Sequence, residues 1–408
     1  MKNYFLVALI ALTMVACNSS TSIEQSAAQF EQQIEPYRQA LKNVGLNVVV
    51  VKDNQIVYTH SFGYKNLETG ELLTDSCLFR IASISKSFTT TSLLQLCEEG
   101  KVSLATDVSE LVGFAVRNPK FPDMPITLEM LLSHTSSICD DEGYFTLDVI
   151  NPQVNENYAQ CYRDYAPGSG YEYCNLNLNM AGTSLERLCG ERFDQAIKHR
   201  VLDPLGLYGG YCVDSLDNKR FASLYENAQY AEDTIDMSEL YMGVYVCEDE
   251  FAYAPRSECI QAYQFGYDTP VFSPTGGMKL SAPDLARYMM MHMNYGTSPD
   301  GVRILSEQSS KNMQTPRSSD ENYGLSLWKT DLYSQGVVLT GHTGEAYGMR
   351  SAMFFNPEEK YGFVVISNGA LDNYEELLTQ AGLADSPIGT GDILTVTLRL
   401  LYNNFIVQ

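Results

Sequence analysis

Strand-like runs lie near both ends of this chain, and a long helical middle separates them. Positions 46–51 (LNVVVV) and 55–63 (QIVYTHSFG) are rich in β-branched and aromatic residues, and Asp53-Asn54 between them supplies a hairpin turn. Strand character returns at 323–328, 336–339, 352–356 and 363–367. Residues 26–41 and 392–402 have helical spacing, as does the stretch from Ser83 to about Gly100, which suits a helix C-cap. From about 104 to 267 the chain carries helical pieces and polar loops rich in Cys, Tyr, Asp and Asn. Strands that come from both termini must pair with each other. The distribution therefore predicts an α+β fold: one antiparallel sheet flanked by N- and C-terminal helices, with an inserted, mostly helical domain. Residues 30–82 and 268–408 would form the sheet domain, and 83–267 the insertion. A chain of 408 residues, 45% hydrophobic and 19% charged, can bury cores of that size.

The first residues, MKNYFLVALIALTMVAC, place one Lys before a short apolar run. That run falls short of the roughly 20 residues needed to span a bilayer, so residues 1–17 are expected to be an export signal. Val15-Ala16-Cys17 is similar to the lipobox of bacterial lipoproteins. The similarity implies a lipid on Cys17 and an exported protein anchored in the cell envelope, with the Ser-rich residues 18–29 as a tether. The formal net charge of −23 repels phosphate backbones and anionic lipid heads. Nucleic-acid binding is not expected, and membrane contact is expected only through the anchor. Besides Cys17 there are nine cysteines. In an exported protein the six at positions 139, 161, 174, 212, 247 and 259 are candidates for disulfides, whereas Cys77 and Cys97 suit buried apolar sites. The five His are scattered and no C-x-x-C occurs, so no metal site is expected.

Three short motifs carry chemistry. Ser83-Ile84-Ser85-Lys86 opens a helix, where positions i and i+3 share a face. A Ser hydroxyl beside an amine whose pKa is lowered by burial is an activated nucleophile. A second S-x-x-K, at Ser326 to Lys329, falls in a strand-like run that would turn the two side chains to opposite faces. Tyr173-Cys174-Asn175 follows the turn cluster Ala166-Pro167-Gly168-Ser169-Gly170, which puts it in a loop. Its Tyr can pass a proton to a leaving group, and its Asn can bond Lys86 or a substrate amide. His342-Thr343-Gly344 lies between strand-like runs. Its Gly would let a substrate backbone come close, and its Thr and a cationic His would hold a carboxylate.

In the order S-x-x-K, Y-x-N, H-T-G, these motifs resemble the serine β-lactamase and penicillin-binding-protein family. The resemblance is to the branch of class C β-lactamases, DD-peptidases and related esterases. Further stretches are similar to that branch: Phe79-Arg80-Ile81-Ala82-Ser83, the helix from Ile126 to Ser136, Asp203-Pro204-Leu205-Gly206-Leu207 and Pro274-Thr275-Gly276-Gly277-Met278. The resemblance implies an acyl-enzyme on Ser83, proton transfer through Lys86 and Tyr173, and orientation by Asn175. It further implies that His342 and Thr343 face the substrate, that the backbone N–H groups of Ser83 and Glu345 form the oxyanion hole, and that no cofactor is needed. Two departures stand out. H-T-G replaces the K-T-G of the β-lactamases; with an ordinary His pKa near 6.5, it should grip a carboxylate less firmly. Ser137 replaces the Gly of His-Thr-Ser-Gly, so a changed turn is expected there.

The expected activity is thus hydrolysis of an amide or ester: a D-Ala-D-Ala-type peptide, a β-lactam or a small ester, with peptidase or esterase action ahead of β-lactamase. Expected partners are a small-molecule or peptide substrate, peptidoglycan included. The alternative is a penicillin- or peptidoglycan-binding sensor of the same fold that does not turn over.

Overall fold

The computed structural model describes residues 3–228, 240–241, 244–318, 321–333 and 336–407, with side chains from Ser22 onward and none at 240–241. The expected lipidation site, Cys17, lies outside the described side chains.

The chain enters the sheet through β1 (Gly45–Lys52), β2 (Gln55–Asn66) and β3 (Glu71–Leu72). Asp53 and Asn54 both adopt positive φ, +51° and +64°, the tight turn that the sequence implied. Short pairings follow: β4 (Phe79–Arg80), β5 (Gly209–Gly210), β6 (Tyr225–Asn227), β7 (Leu240–Tyr241), β8 (Tyr245–Cys247) and β9 (Lys279–Leu280). The chain then returns through β10 (Trp328–Thr330), β11 (Leu339–Ala346), β12 (Met349–Asn356) and β13 (Tyr361–Ser367). The main sheet has seven strands in the order β10-β11-β12-β13-β1-β2-β3, and all its pairings are antiparallel. Its centre joins the two ends of the chain, Leu46 lying opposite Ser367 and Lys52 opposite Tyr361.

The unbroken run of valines in β1 has a physical cause. Val48 and Val50 face a core under the terminal helices, and Val49 and Val51 face a second core under the middle helices. Both faces of the sheet are buried, so the strand needs no polar alternation, and each buried valine contributes roughly 1.5–3 kcal/mol. The N-terminal helix, Asn3–Ala40, packs Phe30, Ile34 and Tyr37, with Leu41 just past its end, against the closing helix, Ile393–Phe405. Asp392 caps the latter by accepting from the Thr395 N–H at 2.8 Å.

Several expectations change. The described part of the tether, from Ser22, is helical and continuous with the N-terminal helix; Ile23 and Ala27 pack on the core and Ser26 is buried. Polar residues there cover one face of a docked helix. The strand expected at 323–328 is only the short β10, because Ser326 turns back at φ +57° and bonds Thr90 Oγ1 at 2.7 Å. That turn also removes the second S-x-x-K from contention. All nine described cysteines are free thiols. Four of the bridge candidates have acceptors of their own: Cys139 the Gln160 carbonyl, Cys161 the Val149 carbonyl, Cys174 a carboxylate oxygen of Asp140 and Cys212 a carboxylate oxygen of Asp214. Among the described residues no helix is long and apolar enough to cross a membrane, and no group of three or more His, Cys, Asp or Glu could hold a metal ion.

Candidate active site

Ser83 lies in a 3-10 turn (Ala82–Ile84) between β4 and the helix Ser85–Glu98. Pins on both sides fix the turn: Ile81 N–H donates to the Met278 carbonyl at 3.0 Å, and Ser85 Oγ accepts from Met278 N–H at 3.0 Å. Ala82 is held at φ +42°, a conformation that costs a non-glycine residue strain and that presents the Ser83 hydroxyl to a cleft. The helix behind is buried on nearly every side, as its run of Ser, Thr and Leu allows, and it ends at Gly100 with φ +71°.

Lys86 is fully buried one turn from Ser83. Its Nζ donates to Ser83 Oγ at 2.9 Å, Asn175 Oδ1 at 2.8 Å and the Thr275 carbonyl at 3.0 Å. Burial lowers its pKa to about 7, against the opposing pull of the Asp140 carboxylate. Asn175 opens the helix Asn175–Cys189. Asp140 fixes it there, accepting from the backbone N–H groups of Asn175 at 2.7 Å and Leu176 at 2.9 Å and from Asn175 Nδ2 at 3.0 Å. Thr275 Oγ1 donates to Asn175 Oδ1 at 2.7 Å.

Tyr173 lies in the loop just before that helix, its ring 4.8 Å from Lys86 Nζ. Tyr173 as a whole is 37% exposed, and it lines the cleft. Desolvation of the hydroxyl raises its pKa, against a hydrogen bond with Ser83, so the phenol stays protonated at neutral pH. Behind it stands His134, whose Nδ1 accepts from Cys174 N–H at 3.1 Å. The His134 turn closes at Ser137 with φ +65°, a conformation that suits glycine; the Ser137 hydroxyl accepts from Asn118 Nδ2 at 3.0 Å.

His342, Thr343 and Gly344 are inside β11, which runs on through the gap between the expected strands 336–339 and 352–356. His342 Nδ1 contacts the Thr343 carbonyl and Nε2 meets Tyr323 Oη at 3.0 Å. These contacts suit a neutral tautomer that donates from Nδ1 and accepts from the tyrosine. Burial, then the nearby Lys86, push its pKa down to about 3. His342 lines the cleft, but it offers no cation to a carboxylate. The cationic role considered for it gives way to the weaker grip that its ordinary pKa implied. Gly344 is also small for another reason than expected: a Cβ there would lie 2.3 Å from the Ile81 carbonyl and 3.1 Å from Ala82 Cβ. Its bareness lets β11 press against the nucleophile turn. Glu345 follows with its carboxylate in solvent, 3.3 Å from Arg350.

The cleft measures about 680 Å³ and is lined by Ser83, Tyr173, Asn175, His342, Thr343, Gly344 and Glu345. It thus gathers the expected residues with Lys86 beneath its floor. Sequence reasoning assigned no role to Asp140 or Tyr323, and it offered His134 and Thr275 only as landmarks. Asp140 precedes Asn175 by 35 positions with no spacing to mark it, and Tyr323 by its numbering looked like part of a strand.

The Beta-lactamase family model matches residues 30–385, across the sheet and the middle helices alike. The chain belongs to the Beta-lactamase family. Penicillin-binding protein 4 of Amycolatopsis lactamdurans is 27% identical over 336 residues, 76% of this chain and 78% of that one. Protein flp of Staphylococcus aureus (strain MRSA252) is 24% identical over 330 residues; the chain spans 59% of its length. Among solved structures, the D-amino acid amidase of Ochrobactrum anthropi SV3 superposes with a TM-score of 0.67 at 20% identity, covering 93% of this chain and 99% of that one. The octameric penicillin-binding protein homologue from Pyrococcus abyssi gives 0.65 at 24% identity, covering 88% and 77%. These two likenesses show the fold. Membership of the Beta-lactamase family supports activity of the serine-hydrolase type and leaves the substrate open.

Proposed function

We propose that this member of the Beta-lactamase family is an exported, Cys17-lipidated hydrolase that forms an acyl-enzyme on Ser83. The observation that carries the reading is the buried Lys86 amine, 2.9 Å from Ser83 Oγ and poised near neutrality. In its neutral form Lys86 takes the Ser83 proton as Oγ attacks the carbonyl carbon. The backbone N–H groups of Ser83 and Glu345 receive the oxyanion. As the tetrahedral intermediate collapses, the bond to the leaving group breaks and Tyr173 supplies its proton. Lys86 then returns a proton to Tyr173, and water releases the acid by the reverse route.

The substrate is a D-Ala-D-Ala-type peptide or a small ester ahead of a β-lactam. A neutral His342 with both ring nitrogens engaged favours the ester most, because its wall of the cleft gives no charge to a carboxylate on the leaving group, which a D-Ala-D-Ala peptide carries and a simple ester lacks.

The test is covalent. A fluorophosphonate probe and a labelled penicillin are applied separately and the adduct is mapped by mass. Labelling at Ser83 that vanishes in Ser83→Ala, with turnover of a D-Ala-D-Ala peptide or an ester, is the expected result. Labelling without any turnover would make the chain a sensor, and no adduct in the folded protein would exclude an acyl-enzyme.

A further inference from the structure

The cleft holds a cation that the reaction above does not use. Arg80, three residues before the nucleophile on β4, is only 7% exposed, yet it lines the cleft. Its Nη2 donates to Ser273 Oγ at 3.3 Å and its guanidinium stands over the Tyr347 ring at 5.1 Å. Its Nε finds no hydrogen-bond partner among the described residues, and no carboxylate among them pairs with it. The basic groups nearest it supply no counter-charge. Lys279 is its direct partner across β4 and β9, buried and donating to the Tyr211 carbonyl at 3.0 Å, and the Arg256 guanidinium adds repulsion. The carboxylate in this region, Asp214, is taken by the Arg256 N–H at 2.6 Å and the Ser257 hydroxyl at 2.6 Å. Glu345, on the cleft wall, turns toward Arg350. A desolvated guanidinium without a counter-charge is costly to maintain, and a chain with 50 acidic residues against 27 basic ones does not lack carboxylates to supply one.

Geometry says which part of a substrate would meet it. Tyr173, the acid for the leaving group, lies beside His342 with ring centroids 6.2 Å apart, toward the start of β11. The acyl portion must extend the other way, past Glu345 and Ala346 toward Tyr347, where Arg80 stands.

We infer that Arg80 is an anion anchor for the acyl side of the substrate, so that the enzyme prefers acyl groups ending in a carboxylate. This rests on the acyl-enzyme reading above. A planar guanidinium matches a carboxylate in two parallel hydrogen bonds, with Tyr144 and Tyr347 as the walls of the subsite.

The test compares three esters in wild type, Arg80→Gln and Arg80→Lys: mono-p-nitrophenyl glutarate, p-nitrophenyl pentanoate, and 4-carboxyphenyl pentanoate, which carries its charge on the leaving group. Arg80→Gln should lower the ratio of kcat/KM for the glutarate over the neutral ester by about tenfold or more, Arg80→Lys should restore part of it, and the leaving-group acid should track the neutral ester. Equal losses on all three esters would make Arg80 a structural support of the Ser83 turn and overturn the inference. A readout free of turnover separates this from failure of the hydrolase reading. Ser83→Ala protein should bind monomethyl glutarate more tightly than methyl pentanoate by calorimetry, and adding Arg80→Gln should erase the difference. No difference at the outset would equally overturn it.

Discussion

At the scale of the residue, the site is decided by how burial divides protons between an amine and a phenol. Desolvation destabilises whichever form is charged, so it lowers Lys86 to about 7 and raises Tyr173. The two groups are driven apart into a base and an acid at one pH. An amine accepts a proton only when neutral, which is above its pKa. The kcat/KM for a neutral ester should therefore rise with pH through about 7 and then level off, which a pH-rate profile checks. Asp140 holds that pKa up by its charge, so Asp140→Asn should move the rising limb to lower pH while lowering the plateau. Replacing Lys86 by Met should cost about 10²–10⁴ in the rate of Ser83 labelling by a fluorophosphonate, with the fold intact by circular dichroism. Ser83 and Lys86 were legible because residue type and local spacing mark them; Tyr173 was legible only from the turn cluster before it and from the order of the three motifs. The neutrality of His342 at neutral pH was legible from its ordinary pKa; its engagement with Tyr323 was not, since a partner 19 positions away leaves no local signal.

Among the elements, the decisive contact is between β11 and the nucleophile turn. The strand comes so close that Gly344 has no room for a methyl group against the Ile81 carbonyl, and Ser351 Oγ donates to that same carbonyl at 3.0 Å. Gly344→Ala should push the strand and the turn apart, spoiling the alignment of the Ser83 and Glu345 N–H groups. A shift on the order of 1 Å costs about 10²-fold, so acylation should slow by that factor while the melting temperature falls only modestly. Measured labelling rates close to wild type would refute the contact. The helix Asn175–Cys189 illustrates the same dependence. Its first turn is capped not by a residue of its own but by Asp140, from a segment 35 positions earlier. A cap supplied from that distance does not show in the sequence around the helix.

For the whole molecule, the sheet is a joint between the chain's two ends, and the terminal helices seal one of its faces. Phe30, on the first of them, is fully buried, in edge contact with Tyr58, Phe62 and Phe405. Phe30→Ala should lower unfolding stability by about 3–5 kcal/mol in a denaturant titration, with Ser83 labelling unchanged under native conditions. At the same scale, Cys17→Ala should move the protein from the membrane fraction to the soluble fraction of the cell envelope, the outcome that checks the proposed anchor. The sequence by itself determined the α+β arrangement, since apolar runs at the two ends are too short and too buried to be satisfied except by one another. It also determined the Ser-Lys pair, because three positions on one helix make them neighbours whatever surrounds them. Only the tertiary structure decided the state of that pair and the shape of the cleft. Burial, the reach of Asp140 and the press of β11 each depend on residues far apart in the chain, and desolvation belongs to a site only once every wall around it is in place.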